Sequence, residues 1–188
     1  MATKQQVRAE RIAYRRHLRT TAPHKRALDD AIVRNILSFL DKSGYHGNIA
    51  AYSPLPSEPG GPHLLDALAA SCRTLFLPIS QPGGVLAWAV HSPDSVPGAL
   101  GVSEPTGARF ASGVLNSCDV VLAPALAVDR RGMRLGKGAG YYDRALSGVS
   151  TPVYAVVYDD EVLDAVPHDP HDVPVRGVIT PSGNLRLG

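Results

Sequence analysis

Two short apolar runs limit the folds that this chain can adopt. Residues 119–123 read DVVLA and residues 153–158 read VYAVVY, so each run is apolar on both of its faces. Such strands are typical of parallel sheets that helices cover on both sides. Segments with apolar residues three or four positions apart alternate with these runs and predict the helices. We therefore predict an α/β fold: a single-domain, three-layer sandwich with a mostly parallel central sheet and helices on both faces.

Most helices and strands can be placed along the chain. Thr3 and Gln6 have the spacing of a capping box, which predicts a helix to about Thr20. Pro78 cannot donate a backbone hydrogen bond and should restrict its strand to a sheet edge or a strand end. Residues 92–113, rich in glycine and proline, are predicted to be irregular. The other predicted elements are helices over 21–43, 62–72 and 140–146, strands over 48–53, 74–79, 85–91 and 175–180, and a short helix capped by residues 159–161.

Length and composition favour one globular domain, residues 1–188, because the 188 residues contain no internal repeat and no linker. The hydrophobic fraction of 44% and the charged fraction of 19% are typical of a soluble protein. Neither a membrane-spanning run nor a secretory signal is visible, so we expect a cytoplasmic protein without membrane contact. We also expect a monomer. Cys72 and Cys118 lack the spacing of metal ligands and are interpreted as buried free thiols.

The segment from Asp129 to Leu146, DRRGMRLGKGAGYYDRAL, gives the strongest indication of function. Gly136, Gly138 and Gly140 alternate within it. Glycine lets backbone N–H groups approach a ligand, and successive N–H groups beside a helix start form an anion site. The pattern predicts a polyphosphate site, with Asp143 as a carboxylate that could hold a metal. It matches neither the Walker A nor the dinucleotide-binding pattern, and the alternative interpretation is a glycine-rich surface turn.

Positive charge is concentrated in two segments of the chain. Eight of the 19 Lys and Arg residues lie in residues 1–26, and five lie in residues 129–144. If the fold unites the two segments, they form a positive site that suits a triphosphate or another polyanion. Otherwise the cations form a solvated helix face. We expect no nucleic-acid binding, because aromatic residues do not alternate with the cations and no known binding module is present.

Residues 134–144, RLGKGAGYYDR, together with the apolar lead-in 120–129, resemble the signature of the 5-formyltetrahydrofolate cyclo-ligases, also called 5,10-methenyltetrahydrofolate synthetases. The resemblance implies a ligase of folate and one-carbon metabolism that converts 5-formyltetrahydrofolate to 5,10-methenyltetrahydrofolate with ATP and Mg²⁺. It implies phosphorylation of the formyl oxygen, ring closure by N10 and loss of phosphate. Further segments similar to this family are Lys4-x-x-x-Arg8, the loop 52–58, GVSEP at 101–105 and PHDPHD at 167–172.

The resemblance also implies roles for individual residues. Lys4, Arg134 and Lys137 would be catalytic, because they would neutralise phosphate oxygens. Asp143 and Asp172 would hold Mg²⁺, a hard ion that needs few protein carboxylates when phosphates supply the other ligands. The implied folate-binding residues are Ser53, Glu58 and Tyr141, with Glu58 on the pteridine ring. The implied ATP-binding residues are Lys4, Arg8, Arg134, Leu135, Gly136, Lys137, Gly138, Ala139, Gly140, Tyr141 and Tyr142.

Two positions depart from the family pattern and keep other functions open. Glu58-Pro59-Gly60-Gly61 stands where the family commonly has E-x-x-T, so the pattern is lost at Gly60-Gly61, and Arg176 stands where many members have an acid. One alternative is another ATP-using small-molecule enzyme, such as a kinase, and a second is a non-catalytic nucleotide-binding regulator on the same fold. Glu104 is either structural or close to the site.

Two further hypotheses concern the histidines and the basic N-terminus. His168 and His171 suggest a zinc site, but no Cys or further His completes a tetrahedral set, so magnesium is favoured. The basic N-terminal face, which includes Arg15 and Arg19, would suit the polyglutamate tail of a folate.

Overall fold

The chain begins with two long helices and continues as alternating strands and helices. The computed structural model describes residues 2–98, 103–170 and 172–187. The α-helices are α1 (Lys4–Thr20), α2 (Ala22–Ser43), α3 (Leu64–Ser71) and α4 (Tyr141–Leu146). The strands are β1 (Asn48–Ala50), β2 (Thr74–Gln81), β3 (Val85–Val90), β4 (Ser95–Pro97), β5 (Ser103–Pro105), β6 (Val120–Pro124), β7 (Ala127–Asp129), β8 (Arg134–Leu135), β9 (Val153–Val156), β10 (Val162–Leu163), β11 (Gly177–Thr180) and β12 (Gly183–Arg186). Short 3₁₀ helices lie at Pro82–Gly84, Ser112–Ser117 and Asp159–Glu161.

Local sequence rules determine where the first two helices begin and end. Thr3 Oγ1 accepts a hydrogen bond from the Gln6 N–H at 3.2 Å, and the Gln6 side chain accepts one from the Thr3 N–H at 2.8 Å. These two bonds confirm the predicted capping box. α2 ends before Gly44, whose φ of 70° lies in the left-handed region that glycine adopts without strain. Within the described residues, no helix combines the length and apolar character needed to span a membrane.

Seven strands form the central sheet in the order β12-β11-β9-β6-β1-β2-β3. The five inner strands run parallel, and the edge strands β3 and β12 run antiparallel to their neighbours. The prediction of a mostly parallel sheet is therefore confirmed. β1 leads to β2 on one side, whereas β6 leads to β9 on the other, so the loops after β1 and β6 leave the sheet in opposite directions. Ligand sites of open parallel sheets form at such a point.

β6 shows why the apolar runs in the sequence are continuous. Val120 and Leu122 belong to a core cluster that includes residues of α1, α2 and α3. Val121 and Ala123 belong to a second cluster, which includes residues of α4 and the 3₁₀ helix Ser112–Ser117. All four side chains are fully buried. Helices thus cover both faces of the sheet, as predicted.

Two local predictions need correction. Pro78 lies in β2, which is an inner strand rather than an edge strand. It is tolerated because the register between β1 and β2 ends at Phe76, so no β1 residue needs a hydrogen bond from Pro78. Residues 92–113 are not wholly irregular, since β4 and β5 form an antiparallel pair there. Gly101 and Val102 of the GVSEP segment lie outside the described residues.

Both cysteines are free thiols, but they differ in burial. Cys118 is buried as predicted, whereas Cys72 is only half-buried. Burial raises the pKa of Cys118 to about 11, so this thiol is uncharged at neutral pH.

Candidate active site

A cavity of about 440 Å³ opens where the loops after β1 and β6 diverge. Tyr52 and Ser53 follow β1, Pro124 ends β6, and Pro78 and Ser80 belong to β2. The carboxyl ends of three neighbouring parallel strands therefore border the cavity, where α/β proteins bind ligands.

All fifteen residues that the family resemblance implicates line this cavity. α1, the loop after β1 and the glycine-rich segment each contribute some of them. The structure thus brings the implicated residues together, and the role of each one stays a prediction. They are Lys4, Arg8, Ser53, Glu58, Arg134, Leu135, Gly136, Lys137, Gly138, Ala139, Gly140, Tyr141, Tyr142, Asp143 and Asp172.

The glycine-rich loop packs against α1. Arg8 Nε donates a hydrogen bond to the Gly136 carbonyl oxygen at 2.9 Å. Gly138 has a φ of 106°, and a Cβ there would lie 3.3 Å from the guanidinium carbon of Arg8. A side chain at this position would therefore be both strained and crowded. The fold brings the two basic segments together, as required for the predicted polyanion site.

Lys4 on α1 lies between two carboxylates of the PHDPHD segment. Its Nζ is 2.6 Å from Asp169 and 2.6 Å from Asp172. Burial lowers the pKa of Lys4, but its hydrogen bonds to the two carboxylates outweigh burial and raise the pKa above its ordinary value. Lys4 is therefore charged at neutral pH and suits contact with a phosphate oxygen.

The cations of the glycine-rich loop also form ion pairs. Arg134 contacts Asp143, and its guanidinium lies over the ring of Tyr142. Lys137 Nζ lies 2.7 Å from Glu58 Oε1. The cations implied to bind phosphate are thus paired with carboxylates implied to bind magnesium or folate. Positive and negative groups are thus paired at the cavity, which suits a polyanion bound together with a metal cation.

Three buried polar atoms at the cavity have no hydrogen-bond partner among the described residues: Ser53 Oγ, Arg134 Nε and Tyr142 Oη. Buried polar groups nearly always have a partner, so these atoms are candidates for contacts with a ligand. Burial and the charge of Glu58 raise the pKa of Tyr142, and Arg134 opposes them. Tyr142 is therefore a neutral phenol that can donate a hydrogen bond.

The cavity contains oxygen donors that fit Mg²⁺. Asp143 and Asp172 both line it, and Mg²⁺ commonly takes one or two protein carboxylates while phosphates and waters supply the rest. Within the described ranges, no group of three or more His, Cys, Asp or Glu residues is placed to hold a metal without other ligands. The donors therefore fit a metal that arrives with a phosphate. His171, one of the two histidines that suggested zinc, lies outside the described residues.

Arg15 is buried, contrary to the polyglutamate hypothesis. Its side chain is 3% exposed, and its guanidinium donates to Glu161 at 2.7 and 2.8 Å and to the Ala125 carbonyl oxygen. Burial raises the pKa of Glu161, and the Arg15 charge opposes that rise. Arg15 supports the loop after β6 and is not free to bind a polyglutamate tail. The burial of Arg15 could not be predicted from the sequence, because Arg15 lies in a run of cations typical of an exposed helix face.

Glu104 on β5 also lines the cavity and contacts β2, so its position fits both interpretations that the sequence left open. It is 9% exposed, and its Oε1 accepts a hydrogen bond from the Ser80 N–H at 3.1 Å. The similarity of the GVSEP segment to the family is the signal in the sequence that indicated Glu104. Apolar lining residues such as Leu86 carry no comparable signal, because their sequence pattern is that of any core strand.

The two departures from the family pattern lie in different places. Arg176 is exposed, does not line the cavity, and pairs through its backbone with Val153 and Leu187. Gly60 and Gly61 have φ values of 103° and 61°, both in the left-handed region. The backbone of the turn after Glu58 therefore favours glycine at both positions.

Comparisons of sequence and of structure point to one family of proteins. The model of the 5-formyltetrahydrofolate cyclo-ligase family matches residues 1–181. A 5-formyltetrahydrofolate cyclo-ligase of Mycolicibacterium smegmatis is 40% identical over 161 residues, which cover 81% of this chain and 82% of that protein. The NMR structure of Aquifex aeolicus 5,10-methenyltetrahydrofolate synthetase has a TM-score of 0.81 at 28% identity and covers 98% of this chain and 92% of that one. A 5,10-methenyltetrahydrofolate synthetase from Mycoplasma pneumoniae, at 22% identity, shares the fold with a TM-score of 0.76 over 96% of this chain and 99% of that one. The chain therefore belongs to the 5-formyltetrahydrofolate cyclo-ligase family, a family of ligases.

Proposed function

We propose that this protein converts 5-formyltetrahydrofolate to 5,10-methenyltetrahydrofolate with ATP and Mg²⁺. The observation that supports the proposal is that the residues implied to bind nucleotide, metal and folate all line one cavity. A reaction between ATP and a folate requires the two molecules to lie in contact, and a shared cavity meets that requirement.

The reaction must turn a poor leaving group into a good one. The formyl oxygen attacks the γ-phosphorus of ATP, so that an O–P bond forms and the bond to ADP breaks. N10 of the folate then adds to the activated carbon and loses its proton, and the C–O bond breaks as phosphate leaves. No protein nucleophile is needed, so the protein contributes position and charge.

Lys4, Arg134 and Lys137 would stabilise the negative charge on the phosphoryl oxygens during the first step. The backbone N–H groups of the glycine-rich loop would hold the polyphosphate. The hydrogen bond from Arg8 to the Gly136 carbonyl oxygen would keep that loop against α1.

Asp143 and Asp172 would hold Mg²⁺, which when bound neutralises charge on the phosphates of ATP. In the structure these carboxylates neutralise Arg134 and Lys4 instead. With these carboxylates on Mg²⁺, Arg134 would be available to the phosphate oxygens, and Lys4 would keep only its contact with Asp169.

Glu58 and its neighbours would bind the folate. Glu58 is 5% exposed, and its Oε2 accepts a hydrogen bond from the Leu55 N–H at 2.9 Å, which fixes the carboxylate. A fixed carboxylate can accept hydrogen bonds from N–H groups of the pteridine ring. Ser53 Oγ supplies a further polar contact, and the half-buried Tyr141 ring offers a flat surface for packing.

The direct test is the absorbance of the methenyl product in a mixture of purified protein, 5-formyltetrahydrofolate, ATP and Mg²⁺. Asp143→Ala should abolish product formation. Asp164→Ala is a matched control, because the Asp164 side chain is 98% exposed and does not line the cavity. ATP binding without product from any reduced folate would refute the proposal and favour a kinase-like enzyme or a nucleotide-binding regulator.

A further inference from the structure

Three buried polar side chains lie beneath the loop that carries Glu58. They are Lys25 and Asp29 of α2 and Tyr158, which follows β9. Lys25 is 8% exposed, Asp29 is 5% exposed and Tyr158 is fully buried. None of the three lines the cavity, so none is used in the mechanism above.

These side chains form a connected network with the backbone of the loop. Lys25 Nζ donates to Asp29 Oδ2 at 2.6 Å and to the Glu58 carbonyl oxygen at 3.1 Å. The Tyr158 hydroxyl donates to Asp29 Oδ1 at 2.8 Å and lies 3.4 Å from the same carbonyl oxygen. Asp29 Oδ1 also accepts a hydrogen bond from the Gly60 N–H at 3.1 Å. The network therefore holds the loop both at Glu58 and two residues later.

The two glycines of the loop fit closely over this network. A Cβ at Gly61 would lie 3.1 Å from Asp29 Oδ2, and a Cβ at Gly60 would lie 2.7 Å from Leu64 Cδ2. Asp29 thus occupies the space that a side chain at Gly61 would need. The departure from the family pattern at Gly60-Gly61 therefore lets the loop pack directly against Asp29 of α2.

A gain in stability does not explain why these charged groups are buried. An ion pair out of contact with water gains little net stability, because desolvation cancels most of its attraction. Burial, together with the charge of Asp29, raises the pKa of Tyr158, so this hydroxyl stays protonated and directs its hydrogen to Asp29. The network does fix geometry: it anchors the Glu58 carbonyl on one side, while the Leu55 N–H holds the Glu58 carboxylate on the other.

We propose that Lys25, Asp29 and Tyr158 are positioning residues that orient Glu58 toward the reduced folate. The inference rests on the proposed function, since it deepens the folate-binding role of the same site. It predicts that the network affects folate affinity through Glu58 and that its loss does not weaken nucleotide binding.

A double-mutant cycle between Asp29→Asn and Glu58→Gln tests this coupling. Dissociation constants for 5-formyltetrahydrofolate would be measured by calorimetry with a saturating non-hydrolysable ATP analogue. Each single variant should weaken folate binding about ten-fold. The dissociation constant of the double variant should lie within about two-fold of that of Glu58→Gln. Additive losses, about 100-fold in the double variant, would overturn the inference.

Milder variants separate positioning from general destabilisation. Tyr158→Phe keeps the ring packing and removes only the hydroxyl. It should also weaken folate binding without weakening the binding of the ATP analogue. Asn35→Ala is the matched control on α2, because Asn35 donates to the Thr180 and Pro181 carbonyl oxygens, away from the Glu58 loop. Equal loss of nucleotide and folate affinity in Tyr158→Phe would overturn the inference.

The outcomes also separate this inference from the proposed function. A wild-type protein that binds no 5-formyltetrahydrofolate would overturn both. A wild-type protein that binds and converts it, with additive losses in the cycle, would overturn the positioning role alone.

Discussion

The ion pair between Lys137 and Glu58 predicts that one substitution changes the two substrate affinities in opposite directions. Glu58→Gln removes the anion that lies 2.7 Å from Lys137 Nζ. Lys137 must leave this partner before it can bind a phosphate oxygen. ATP should therefore bind more tightly to the variant, whereas 5-formyltetrahydrofolate should bind more weakly because its carboxylate acceptor is lost.

The size of the ATP effect follows from the geometry of the pair. At 2.7 Å the attraction between unit charges is about 6 kcal/mol with an effective dielectric constant near 20. The Lys137 side chain is 44% exposed, however, so solvent screening and side-chain entropy reduce the net value to about 1 kcal/mol. That free energy corresponds to about five-fold tighter ATP binding.

Calorimetric titration with a non-hydrolysable ATP analogue and Mg²⁺, without folate, measures the effect. Asp164→Asn removes the same charge at an exposed position outside the cavity and should leave ATP affinity unchanged. The gain in Glu58→Gln should shrink as salt is added. Unchanged or weaker ATP binding in Glu58→Gln at low salt would refute the idea that Lys137 exchanges Glu58 for phosphate.

Three further predictions concern the loop, the core and acid stability. Gly138→Ala should weaken ATP binding about ten-fold or more by calorimetry, because the residue has a φ of 106°; Gly107→Ala, which has open space around it, should not. Glu161→Gln leaves the buried Arg15 charge unpaired and should lower the free energy of unfolding in urea by about 3 kcal/mol or more. Burial raises the pKa of Asp129, but hydrogen bonds from three backbone N–H groups outweigh burial and hold this pKa below its ordinary 3.8. The stability that Asp129 contributes is therefore present above pH 3.8 and is lost as the pH falls further. Unfolding curves measured at several pH values below 5 should show a weaker pH dependence for Asp129→Asn.

The architecture could be predicted from the sequence because it depends on local patterns. The capping box at Thr3 and the continuous apolar strand β6 each indicate their own structure without knowledge of distant residues. The β4–β5 pair was missed because each strand has three residues, too few for a period of two to be visible among prolines and glycines.

The candidate site was predictable as a set of residues but not as a set of contacts. The glycine-rich loop is a local motif, whereas the partner of Lys137 is a carboxylate in the loop after β1. Lys25 and Asp29 have the i, i+4 spacing of a surface ion pair, and only the fold shows that they are buried beneath the Glu58 loop. Pairing and burial depend on residues far apart in the chain, which no local pattern contains.

The contact between α1 and the last third of the chain also has a consequence for synthesis on the ribosome. Lys4 binds a carboxylate 168 positions later, and Arg8 binds a carbonyl oxygen 128 positions later. The basic face of α1 can therefore meet these partners only after residues 136 and 172 have been synthesised. A nascent or prematurely terminated chain that stops before residue 172 would lack Asp172 and could not assemble the complete set of groups around the cavity. Under the proposed function, ATP should therefore stabilise chains that include residue 172 more than chains that lack it.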